Sequence, residues 1–215
     1  MKLKHKIAHM KSAFNYAECS TAVRLKVGCL IVKHDRIISI GYNGMPSGWT
    51  NVCEEPVVLE DRGNDSNENQ ILQPTLKTKP EVIHAEANAV GKLASSHESG
   101  LGAAAFITHK PCLSCAKLLY QAGIKEVYYN HEYAYSEGVD FLIKCGIKVE
   151  QFDVSIYEFQ YMNEDIERRI VQKMYPELEG DDVLLKWTET LKTMYPVQWK
   201  IAIDEFWDEY FNPKP

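Results

Sequence analysis

Residues 103–129 read AAAFITHKPCLSCAKLLYQAGIKEVYY, and the spacing inside this stretch decides the fold. Ala103-Ala104-Ala105-Phe106-Ile107-Thr108 is a short run of small and apolar residues, as in a buried strand. Pro111 suits the first turn of a helix, where its missing N–H is not needed. That helix carries Cys115, Ala116, Lys117, Leu118, Leu119 and Tyr120 and stops at Gly123, a natural left-handed cap. Glu126-Val127-Tyr128-Tyr129 follows as a strand. The device then recurs: a short helix over Asp140–Lys144, Gly146, Ile-Lys again, and a strand over Lys148–Phe152. Strands alternating with helices imply an α/β layer structure with partly parallel strands.

Upstream, His84 to about His97 reads as a helix, with Ala85, Ala87, Ala89, Val90 and Leu93 favouring it. Gly28–Val32 and Arg36–Gly41 are β-rich runs joined by His34-Asp35, which suits a tight hairpin. Residues 5–19 carry apolar side chains at helical spacing and predict a first helix. Gly41-Tyr42-Asn43-Gly44-Met45-Pro46-Ser47-Gly48 holds three glycines and a proline in eight residues. It is a loop, either a plain surface turn or one whose backbone approaches a ligand closely. Residues 54–80 form a polar insertion without Cys or His, read here as a long loop. After residue 155 the character changes. Trp187, Trp199 and Trp207 are interleaved with charged residues, and Glu164–Tyr175 and Asp182–Tyr195 read as amphipathic helices, each ended by Met-Tyr-Pro. The expected organisation is a domain over 1–155 and a helical C-terminal extension over 156–215.

The composition is that of a globular protein, 45% apolar and 25% charged, with a formal charge of −6. An acidic balance argues against a general binder of nucleic-acid backbone, which carries a basic surplus. No apolar run has the length of a membrane-spanning helix. The basic start, Met1 to Lys6, lacks the apolar core of a secretory signal. Six cysteines in 215 residues do not make a disulfide scaffold, so a reducing, cytoplasmic setting with one CxxC devoted to metal is expected.

The chemistry lies in His84-Ala85-Glu86 and Pro111-Cys112-Leu113-Ser114-Cys115. One imidazole and two thiols a helical turn apart are three zinc donors, and three donors are the protein share of an open, catalytic site. The positive end of a helix favours thiolate at Cys112 and Cys115. Zinc so held makes a bound water acidic, and Glu86 is placed to move protons. H-x-E followed by P-C-x-x-C is the pattern of zinc deaminases that act on nucleobases. A CxxC by itself also fits a structural zinc or redox pair, and a non-enzymatic zinc module would need a fourth ligand. Cys29 and Cys145 read as buried small hydrophobes. Cys19 and Cys53 read as unlinked cysteines or as part of a second metal site. His109 and Lys110 lie beside the CxxC; Lys110 is either a phosphate contact or solvated.

These residues resemble a known family. His84-Ala85-Glu86-Ala87-Asn88-Ala89, Pro111-Cys112 with Cys115-Ala116-Lys117, Gly123-Ile124-Lys125-Glu126-Val127, Lys26-Val27-Gly28 and the glycine loop 41–48 are similar to the deoxycytidylate (dCMP) deaminases of the cytidine-deaminase-like superfamily. The resemblance covers roughly residues 5–155. It implies a three-layer α/β/α fold with a five-stranded mixed sheet, and hydrolysis of dCMP to dUMP and ammonia, supplying thymidylate synthesis. It implies zinc on His84, Cys112 and Cys115, with Glu86 as proton shuttle. Asn43 would bond the sugar, Ala85 would contact the substrate, and Arg24 and Tyr133 would meet its phosphate. It further implies a homohexamer activated by dCTP and inhibited by dTTP, each with Mg²⁺, the effector site drawing on Gly41, Tyr42, Gly44 and Gly48. Other members of the superfamily act on dCTP, cytosine or tRNA adenosine. Some carry a second, structural zinc, but Ala22 stands at one of its cysteine positions here.

Overall fold

The structure, a computed structural model, describes residues 1–57, 75–133, 136–157, 165, 167–169 and 171–172. The chain divides into two compact units, Met1–Val154 and Ser155–Pro215.

The first unit is built on β1 (Gly28–Lys33), β2 (Arg36–Tyr42), β5 (Ala104–His109), β6 (Glu126–His131) and β7 (Lys148–Gln151), in the sheet order β2-β1-β5-β6-β7. β1 runs antiparallel to both neighbours, whereas β5, β6 and β7 are parallel, so the sheet is mixed as expected. The β1–β2 hairpin turns through His34 and Asp35, at φ 51° and 57°. Two successive left-handed residues are the primed turn that matches strand twist.

Helices cover both faces. Odd positions of β1 and β5 (Cys29, Ile31, Ala105, Ile107) meet α2 (Ala85–Ala94) through Ala85, Ala89 and Leu93, and α3 (Leu113–Gln121) through Ala116 and Leu119. On the other face Phe106 stacks on Tyr128 and meets the ring of His9 from α1 (Leu3–Ala17). α4 (Glu137–Lys144) packs beside α3 through Leu142. This is a three-layer sandwich.

The repeated Gly-Ile-Lys device ends α3 and α4 in the same way. Gly123 (φ 81°) donates to the Tyr120 carbonyl and Ile124 to Leu119; Gly146 (φ 74°) donates to Ile143 and Ile147 to Leu142. These are paired Schellman caps, and the Leu119–Ile124 and Leu142–Ile147 pairs lie in the main core. Each cap sends the chain directly into a parallel strand, with the Lys125 N–H on the Ala103 carbonyl and the Lys148 N–H on the Lys125 carbonyl.

Several local expectations shift. Pro111 precedes the helix, because Cys112 is the N-cap of α3. α2 begins after His84, its N-cap, and ends at Ala94. α4 starts at Glu137, earlier than Asp140, since Gly138 fits against the chain and does not break the turn. Cys145 is half-buried at the end of α4, so of the pair Cys29 and Cys145 Cys29 alone is fully buried. The insertion is not a plain loop: its ends pair as β3 (Glu54–Val57) and β4 (Thr75–Thr78). Of the two helices expected in the tail, Asp182–Tyr195 and most of Glu164–Tyr175 lie outside the described residues; Asp165, 167–169, Val171 and Gln172 are helical. Among the described residues no helix is long and apolar enough to cross a membrane.

Gly41 shows how tightly α2 is seated. A Cβ there would lie 2.0 Å from the Ala85 carbonyl oxygen and 2.5 Å from the Ala89 nitrogen, whereas one at Gly44 would meet nothing within 4 Å. Gly41→Ala is expected to lower unfolding free energy by about 2 kcal/mol or more through overpacking, and Gly44→Ala by well under that. Urea denaturation of the two variants measures the difference.

Candidate active site

Two helix N-termini converge on one point. β5 runs out through His109 into Cys112, which caps α3 with its Sγ accepting the Cys115 N–H at 3.5 Å. From the other side, an isolated bridge between Gly44 and Ile83 pins the chain just before His84, so that the histidine arrives at the start of α2. His84 Nδ1 is 3.4 Å from Cys115 Sγ and 3.7 Å from Cys112 Sγ, and the three donor atoms all lie within 4.8 Å of one another. Zn–N and Zn–S bonds of ordinary length in a tetrahedron put nitrogen and sulfur about 3.6 Å apart. The spacing of the donors therefore fits zinc. Among the described residues this is the one group of three or more His, Cys, Asp or Glu side chains close enough to hold a metal.

On protein charges alone the three donors conflict. Hydrogen bonds from Cys115 and His84 pull the Cys112 thiol down to about 3, while that neighbouring sulfur and burial push Cys115 up. The hydrogen bond to Cys112 raises His84 despite its partial burial. A divalent cation resolves the conflict by favouring two thiolates and a neutral imidazole together. Glu86 stands in the first turn of α2, only 4% exposed, and burial raises its pKa.

A pocket of about 220 Å³ opens over this cluster, lined by His84, Ala85, Glu86 and Cys112 at one end and by Arg24, Thr78, Lys110 and Tyr133 elsewhere on its wall. Asn43 lines it too. All the residues expected at the metal and the substrate except Cys115, which sits buried behind Cys112, thus share one cavity wall. Asn43 is buried and holds the 25–27 segment, its Oδ1 accepting the Val27 N–H at 2.8 Å and its Nδ2 donating to the Leu25 carbonyl at 2.8 Å. One N–H and one lone pair of its amide remain for a ligand. Tyr133 is half-exposed at the rim. Lys110, read from sequence as either phosphate contact or solvated, lines the pocket and pairs with Glu132, its side chain 11% exposed.

The glycine-loop residues expected at an effector site lie elsewhere. Gly41 is spent on α2, the Tyr42 carbonyl accepts from Asn88 Nδ2 and its ring lies under Lys92, Gly44 bridges Ile83, and Gly48 is a left-handed turn residue. None of the four lines the pocket. Cys53 is buried beside Thr21, with Ala22, Val82 and Met45 around it, while Cys19 is exposed.

Three contributors escaped the sequence reading. Glu54 and Thr78 both bond Arg24 or its backbone. Gly138 lets α4 press on the metal-bearing turn, for a Cβ there would come within 2.1 Å of the Pro111 carbonyl oxygen. The glycine was visible in the sequence; its neighbour was not.

A histidine and a thiol pair at two helix starts, with a buried carboxylate two residues on from the histidine, match the H-x-E and P-C-x-x-C pattern of zinc deaminases that act on nucleobases. Residues 3–131, more than half of the chain, match the family described as "Cytidine and deoxycytidylate deaminase zinc-binding region", and the chain belongs to that family. Among its relatives are ComE operon protein 2 of Bacillus subtilis, 32% identical over 63% of this chain, and the deoxycytidylate deaminase of Saccharomyces cerevisiae, 33% identical over 66% of it. The matches span 64% and 43% of those two proteins, less than two thirds of their own length. Among solved structures, the dCMP deaminase of cyanophage S-TIM5 in complex with dCMP and dUMP superposes with a TM-score of 0.59 at 42% identity. That superposition covers 70% of this chain and 98% of the phage protein.

Two outcomes are expected. Cys112→Ser and Cys115→Ser should each lower zinc retained after dialysis by about tenfold or more, read by elemental analysis. His109 is held down to about 4 by burial and by the nearby His131 ring. Its neutral form is favoured by folding, so its contribution is complete above about 6.5 and is lost as pH falls toward 4. His109→Gln should therefore flatten the fall in unfolding free energy over that window, measured by denaturation at a series of pH values.

Proposed function

We propose that this chain hydrolyses dCMP to dUMP and ammonia, with zinc on His84, Cys112 and Cys115 and with Glu86 as the proton carrier. The observation that carries the reading is the shared pocket, in which metal donors and a buried carboxylate line the same wall as an arginine, a lysine and a tyrosine suited to an anion. The phage relative crystallised with dCMP and dUMP agrees in substrate class.

Zinc supplies Lewis acidity toward water at the metal end of the pocket. Glu86 takes a proton from the attacking water, passes one to ring N3 and delivers one to the departing amino group. The two protons of the water thus end on N3 and on ammonia, and oxygen replaces nitrogen at C4. Its burial keeps bulk water from competing for the transfer. Ala85 lies beside the base at the start of α2, the spare capacity of the Asn43 amide serves the sugar, and the Arg24 guanidinium with the Tyr133 hydroxyl takes the phosphate.

The finer parts of the proposal rest on family resemblance. They are dUMP supply to thymidylate synthesis, a cytoplasmic setting, and a homohexamer activated by dCTP and inhibited by dTTP with Mg²⁺, its effector site drawing on Gly41, Tyr42, Gly44 and Gly48. Residues 1–155 would form the deaminase domain and 156–215 a helical extension.

Glu86→Gln should retain zinc while turnover falls by about 10³-fold. A variant with normal zinc and near-normal ammonia release overturns the assignment. For the substrate, kcat/KM should favour dCMP over deoxycytidine, and Arg24→Met should erase about a hundredfold of that preference without touching the nucleoside rate. Equal values for the two substrates in the parent enzyme would remove the phosphate from the reading.

A further inference from the structure

The base of the insertion grips one residue twice. Glu54 opens β3, Thr78 closes β4, and the two stand opposite each other in register. Glu54 Oε1 accepts the backbone N–H of Val23 at 3.0 Å and of Arg24 at 3.2 Å, on a residue only 8% exposed. A carboxylate placed so deep is costly unless its oxygens are bonded, and these two amides bond it. Thr78 Oγ1 accepts from Arg24 Nη1 at 3.0 Å, and Thr78 lines the pocket with Arg24. Arg24 is therefore tied at its main chain by one strand and at its guanidinium by the facing residue of the other.

An exposed arginine samples many rotamers, and ordering it when a ligand arrives subtracts from affinity. We propose that Glu54 and Thr78 are positioning residues that hold Arg24 over the pocket in advance and so set the preference for a phosphorylated substrate. Neither touches a reacting atom. The inference rests on the reading of Arg24 as the phosphate partner, and it assigns the ordered base of the 54–78 insertion to substrate selection.

The readouts are KM and kcat for dCMP and kcat/KM for deoxycytidine, taken on the full chain with zinc. Thr78→Val keeps strand shape and removes the acceptor; Glu54→Ala removes the amide acceptor, and Glu54→Gln retains one. Thr78→Val and Glu54→Ala should each raise KM for dCMP about tenfold with kcat unchanged and with deoxycytidine unaffected, and Glu54→Gln should recover most of the loss. In an Arg24→Met background both effects should vanish, because the residue they position is gone. Equal losses on both substrates, or effects that persist in full beside Arg24→Met, overturn the proposal. If Glu54→Ala fails to fold, Thr78→Val alone decides it. An Arg24→Met enzyme that keeps the parent preference for dCMP refutes the phosphate reading itself, and the clamp with it; normal Arg24 dependence with an inert Thr78→Val refutes the clamp alone.

Discussion

Nitrogen and sulfur donors from two separate segments, His84 and the Cys112–Cys115 pair, must arrive 3.4–3.7 Å apart, and most of the fold answers to that constraint. Each segment is a helix start, where side chains leave the backbone in a fixed direction and where unpaired N–H groups favour negative charge. The meeting point is then a question of where two helix axes lie. α2 is set against the sheet at Gly41, where the Ala85 carbonyl passes too close for any side chain. α3 is set by β5 before it, by its Schellman cap at Gly123 behind it, and by α4 pressing through Gly138 onto the Pro111-Cys112 backbone. Glycines thus appear at helix contacts where a methyl group would move a metal ligand.

This placement accounts for how the sequence could be read. Cys112 and Cys115 declare themselves because a helix turn is a local object: spacing of three within one segment is already geometry. The hairpin at His34-Asp35 and the two Gly-Ile-Lys stops are local in the same sense, and the partly parallel α/β layering follows from strands alternating with helices. What spacing cannot carry is a contact made by residues far apart in the chain. Glu54 and Thr78 sit in Glu-Glu-Pro-Val and Thr-Leu-Lys-Thr, short segments without alternation, on either side of a long polar run. Their pairing becomes apparent only through Arg24, which both reach from about 30 and 54 residues away in sequence. The glycine loop is ambiguous for a different reason. Its composition fits a plain turn as well as a ligand cradle, and the contacts of Gly41 with α2 and of Gly44 with Ile83 show only what the loop does within the chain.

The pocket consequently has two ends made by two different means. The metal end is built from helix starts braced by the core, where close-packed neighbours such as Ala85, Ala89 and Ala116 resist a shift of a few tenths of an ångström. The rest of the wall comes from segment ends and connections: 24–27 before β1, Asn43 after β2, Thr78 at the end of β4, His109 at the end of β5, and Lys110 and Tyr133 beyond β5 and β6. Polar side chains add to the small apolar cluster of Ala22, Cys53 and Val82 in holding that end. Asn43 fastens 25–27, Glu54 fastens 23–24, Thr78 fastens the guanidinium, and Glu132 fastens Lys110.

Such a division separates the metal-bearing turns from most of the remaining pocket wall. The bonds made by Asn43, Glu54 and Thr78 tie residues 23–27 and involve none of His84, Glu86 or the cysteines, whereas Lys110 stands directly before Pro111-Cys112. Gly41 and Gly138 touch α2 and the Pro111-Cys112 backbone directly, so substitutions there displace the metal-bearing turns first. In this chain two of those bonds, from Glu54 and Thr78, hold Arg24, and because a net charge of −6 repels anions at long range, attraction for an anionic ligand has to come from cations placed on that wall.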